Sequence, residues 1–74
     1  MKEVEQFLLK NGFIEVDEQI GVYESEKAII TFRERHYEVN LFDIGVMYSE
    51  SLNIYWLVGL LTWYGIIPKD YVQL

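Results

Sequence analysis

The sequence predicts an α+β domain: an N-terminal helix, a three- to four-stranded antiparallel sheet, and a long apolar C-terminal helix packed on that sheet. Three observations lead there. Apolar residues recur at helical spacing near the N-terminus, alternate with polar ones over much of residues 13–48, and become almost continuous from Leu52 to Tyr64.

Val4, Phe7 and Leu8 fall on one helical face, and Asn11-Gly12 supplies a glycine able to take the left-handed conformation that ends a helix, so residues 2–11 are expected to be helical. From Phe13 to Asp17 the period changes to two, the mark of a strand. Ile20 to Tyr23 makes a second short extended run, and Glu24 to Lys27 reads as a polar turn. Ala28 to Phe32 is rich in β-formers. After a charged reversal at Arg33 to Arg35, Tyr37, Val39 and Leu41 alternate with His36, Glu38 and Asn40, as in a strand with one wet face. Asp43-Ile44-Gly45 turns the chain again before Val46-Met47-Tyr48. The second helix is expected over residues 52–64, with Ser51 as its N-cap, Gly65 as its end and Pro68 just beyond. The tail, Ile66 to Leu74, is apolar enough to pack back on the domain.

At 74 residues the chain has room for one core, hence one domain spanning 1–74. Hydrophobic residues make up 51%, too many for a disordered chain. The absence of cysteine excludes disulfides, thiolate zinc sites and thiol nucleophiles, and it fits a reducing, cytoplasmic location. Acids among the first residues, where an export signal would be apolar, fit the same location. Twelve acids against six bases, a net charge of −6, argue against direct binding to a nucleic-acid backbone. The acidity leaves room for the reverse role, an acidic nucleic-acid mimic that captures a basic host protein, with Glu15, Asp17, Glu24 and Glu26 clustered.

Charge is distributed unevenly. Residues 1–50 hold eleven of the twelve acids and five of the six bases. The second helix is therefore apolar almost all round, and a small sheet can hide only one side of it. Tyr55, Trp56, Gly59, Trp63 and Tyr64 are the candidate interface residues, and a homodimer is the expected outcome, because two-fold pairing is the commonest way to bury a self-complementary patch. Gly59 costs about 1 kcal/mol relative to alanine in mid-helix. It implies a close approach, either by the protein's own sheet or by a second helix. The apolar run is too short to span a bilayer, so no membrane role is expected.

Catalytic chemistry has thin support. If residues 34–38 are extended, Glu34, His36 and Glu38 share a face and offer a carboxylate–histidine–carboxylate set for a small metal-dependent enzyme. The ordinary account of that pattern is a half-exposed strand. Ser25, Ser49 and Ser51 lie in no nucleophile elbow, and the dispersed glycines form no phosphate loop. No catalytic residue, metal or cofactor is assigned.

The stretch Y-S-E-S-L-N-I-Y-W-L-V-G-L-L-T-W-Y-G-I-I-P-K-D-Y from Tyr48 to Tyr71, following K-N-G-F and E-R-H-Y-E-V-N, resembles small uncharacterised proteins of phages and other mobile elements. The resemblance lies in layout. It implies a cytoplasmic accessory protein in a bacterial host and names no mechanism; the expected role, a non-enzymatic protein-interaction protein, rests on the contrast between the nearly uncharged last third and the charged remainder.

Overall fold

The alternation of residues 13–48 becomes one antiparallel meander. A computed structural model describes residues 2–68; the part of the expected tail packing that concerns residues 69–74 lies outside them. Helix α1 (Lys2–Lys10) is followed by β1 (Ile14–Asp17), β2 (Val22–Glu24), β3 (Ala28–Phe32), β4 (Tyr37–Leu41) and β5 (Gly45–Tyr48), and then by α2 (Ile54–Trp63). The strands lie side by side in chain order, each antiparallel to the next. Five strands form where three or four were expected, because the short runs on either side of β3 and β4 each complete a hairpin.

The register explains the core. Tyr23, Ile30, Val39 and Met47 stand opposite one another across β2 to β5, so they share one face. With Ala28, Tyr37 and Leu41 they meet Val4, Phe7 and Leu8 of α1 and Leu57, Val58 and Leu61 of α2 in a single cluster. Both helices cover the same side of the sheet. The other face carries the cross-strand row Ile14, Glu24, Ile29, Asn40 and Val46, and beside it Val22, Thr31, Glu38 and Tyr48.

Turns and caps follow local chemistry. Gly12, with φ of 89°, ends α1, and Asn11 Nδ2 donates to the Phe7 carbonyl at 2.8 Å. Asp17 accepts from the N–H groups of Gln19 and Ile20 and shapes the β1–β2 turn. Gly21, with φ of 85°, lies against the Phe32 ring. At the far end of α2 the Lys27 ammonium donates to the Gly65 carbonyl, a cation where a helix leaves its carbonyls free. The chain then turns inward, and Ile67 is buried.

Two features of the second helix depart from expectation. It begins at Ile54 instead of 52, and its N-cap is Asn53, whose Oδ1 accepts from the Tyr55 N–H at 2.8 Å; Ser51 does not cap it. The preceding serine is used elsewhere. Ser49 is buried; its Oγ accepts from the Tyr37 N–H at 2.8 Å and donates to the Ser51 carbonyl at 2.7 Å. Residues 49–53 are thereby tied to β4, and a helix can start only after them. No helix among the described residues is long and apolar enough to cross a membrane.

Candidate interaction surface on the second helix

Helix α2 has no charged side chain in its first or last turn and none between them. Leu57, Val58 and Leu61 face the sheet. On the opposite side Tyr55, Gly59 and Trp63 follow at intervals of four residues, and Tyr55 and Trp63 are 68% and 82% exposed. Tyr64 lies at the margin of this stripe. Trp56 sits between stripe and core: it is half-buried, with its ring stacked on Tyr37 at 6.3 Å between centroids. The sequence groups these five residues together, whereas the fold gives Trp56 an internal partner and leaves Tyr55 and Trp63 facing outward.

Gly59 settles one of its two explanations. A Cβ added there meets nothing within 4 Å, so the protein's own sheet does not require the glycine. It lies in open space between two exposed aromatic rings.

The residues weighed for metal chemistry do not share a strand face. Residues 34–36 form a bend, and β4 begins only at Tyr37, so the extended conformation that would align Glu34, His36 and Glu38 is absent. Glu38 instead accepts from the guanidinium of Arg33 at 3.0 Å across the hairpin, and His36 meets Tyr48 edge to face at 5.8 Å. Among the described residues no group of three or more His, Asp or Glu side chains is arranged to hold a metal ion. A shallow hollow of about 370 Å³ is lined by Arg33, Glu34, Arg35 and His36, and another of about 350 Å³ lies between Tyr48, Ser49, Glu50, Ser51, Asn53 and Trp56. His36 and the two serines, Ser49 and Ser51, thus line different hollows, and the Ser49 hydroxyl is already committed.

The four acids considered for mimicry are divided. Glu15 is opposite Tyr23, on the helix-covered side, where its carboxylate accepts from the Tyr23 hydroxyl at 2.8 Å; Glu24 is on the open face, Asp17 ends β1 opposite Val22, and Glu26 lies in the bend between β2 and β3. They form no single stripe.

Two tyrosines carry perturbed hydroxyls. Burial pushes Tyr37 up to about 12, and its hydroxyl donates to the Leu52 carbonyl. Tyr23 is raised further, first by burial and then by its bond to Glu15, with Glu5 adding to the effect. Both changes favour the neutral phenol, which suits a structural role in a core. Compared with family models, curated proteins and solved structures, the chain matches none.

Proposed function

We propose that the chain is a non-enzymatic interaction protein that pairs with a second copy of itself through the outer face of α2, leaving its acidic sheet and turns to meet another macromolecule. The observation that carries this reading is the exposed, uncharged stripe Tyr55–Gly59–Trp63, centred on a glycine with open space before it. The stripe reads almost the same in both directions. Two such helices crossing antiparallel at Gly59 would set each Trp63 beside the Tyr55 of the other copy, an isologous contact in which rings flank a close backbone approach. Because the sheets lie behind the helices, pairing would keep the two most highly charged layers roughly 30 Å apart, several Debye lengths at physiological salt.

The contact is modest in area. Exposed aromatic rings contribute about 150–250 Å² each at most, so Tyr55 and Trp63 reach only part of the roughly 800 Å² per partner of a standard interface. The dimer is therefore expected to be concentration-dependent. The resemblance in layout to small phage and mobile-element proteins, if it reflects kinship, would set the chain in the cytoplasm of a bacterial host, where a small accessory protein of this kind would meet a host protein.

Light scattering coupled to size exclusion tests the reading. Mass should climb from 8.8 kDa towards twice that value as concentration rises. Trp63→Ala should hold the protein at the lower mass while changing fold stability by less than about 0.5 kcal/mol, because the side chain has few internal contacts to lose. A wild-type mass that stays at one chain throughout would remove the proposal.

A further inference from the structure

The two edges of the sheet are unlike. β1 is guarded: its register shifts between Glu15 and Asp17, and two of its four residues are carboxylates, both devices that discourage strand addition. β5 is not. Gly45-Val46-Met47-Tyr48 holds no charge and no proline, and its register with β4 is unbroken.

The ladder identifies the backbone groups that β5 leaves over. The Ser49 N–H donates to the Tyr37 carbonyl, so residues 37 and 49 are a hydrogen-bonded pair, and antiparallel alternation makes 39 with 47 and 41 with 45 the next ones. The opposite side of β4 agrees, since the Phe42 N–H donates to the Lys27 carbonyl and the Arg33 N–H to the His36 carbonyl. Val46 and Tyr48 consequently turn their N–H and C=O groups away from the sheet, where no described residue pairs with them. Their side chains, 49% and 63% exposed, stand on the open face.

Charge selects the occupant. Exposed Asp43 and Glu50 flank the strand, and neither has an ion-pair partner among the described residues. A second copy of β5 in an antiparallel pair would place Val46 opposite Tyr48 of the other chain, bringing Asp43 of each copy to the same end as Glu50 of its mate. That arrangement repels. An extended strand with basic ends attracts. We propose that β5 receives, as a sixth strand, an extended segment of a different protein that has alternating apolar residues and is flanked by Lys or Arg. This inference is independent of pairing through α2.

The test uses a blocked synthetic peptide, Lys-Lys-Val-Thr-Val-Thr-Val-Lys-Lys, added to the full ¹⁵N-labelled chain. Exchange of the Val46 and Tyr48 amide protons should slow by at least about tenfold at saturation. The same peptide N-methylated at all five core residues keeps its charge but loses the donors of both edges, and it should give no such protection. A version with Glu in place of Lys should bind about tenfold more weakly, and Asp43→Lys with Glu50→Lys should reverse that preference. Equal binding by the N-methylated peptide would reduce the effect to general charge attraction and overturn the proposal. So would unchanged exchange at Val46 and Tyr48 with the parent peptide, or protection that grows with protein concentration alone, which would give the edge to a second copy. Mass is read separately, so failure of α2 pairing is distinguishable from failure of strand addition.

Discussion

Ser49 joins two segments through one hydroxyl, accepting from Tyr37 and donating to Ser51. Ser49→Ala leaves the Tyr37 N–H buried without its partner, and the expected loss is about 1–3 kcal/mol, read as a lower urea midpoint with an unchanged slope. Nothing local in the sequence marks this serine, because its partner is twelve residues away. Tyr23 and Tyr37 give the alkaline limit of the fold. Each has a pKa raised by folding from 10.0, so the folded state holds its protons more tightly than the unfolded chain. Stability should thus be fully present below about pH 10 and fall as the pH rises beyond it. Urea titrations at increasing pH should reveal that fall, and Tyr23→Phe should shallow it, because the substitution removes one of the two hydroxyls whose pKa folding raises.

The capping residue of α2 provides a direct comparison. Asn53→Ala should cost about 0.5–2 kcal/mol, whereas Ser51→Ala should stay within about 0.5 kcal/mol, both measured by chemical denaturation. A larger loss at Ser51 than at Asn53 would mean that the helix starts as the sequence suggests, at 52. Gly59→Ala separates the helix from its assembly. With open space at its Cβ, the alanine should raise stability of the dilute protein by about 1 kcal/mol through helix propensity alone. The same change should weaken pairing if backbones meet there. A variant that is both more stable and more dimeric would argue against a crossing at Gly59. Among the strands, β3 was readable to the residue from its run of β-formers, and β4 to within one residue from its alternation, since the strand starts at Tyr37 and leaves His36 in the bend. β2 and β5 were less so: Ile20 is left in a turn, and Gly45 is drawn into the ladder by pairing with Leu41.

For the whole molecule, salt distinguishes the two proposed surfaces. The α2 stripe is uncharged, so raising salt from about 0.05 to about 0.5 M should leave pairing intact or strengthen it by screening the net repulsion between copies. Binding of the basic peptide at β5 should weaken over the same range. If dimer mass fell with salt, contact through the charged layer would replace α2 as the seam. The candidate surface was only half legible. The aromatic residues stand out in sequence, but an evenly apolar helix has no stripe from which to tell its outside from its inside.

The sequence alone determined the α+β class, β3, β4 and α1 to within one residue, and the concentration of charge in the first two-thirds of the chain. These depend on neighbours a few residues apart, where period, glycine conformation and capping chemistry act directly. Tertiary structure decided the rest: five strands instead of three or four, Asn53 as the cap, the division of Glu34, His36 and Glu38 between a bend and a strand, and the outward turn of Tyr55, Gly59 and Trp63. Each of these is set by pairing between distant segments, since the ladder fixes which side of a strand is wet and the sheet covers only one side of a helix that is apolar on all.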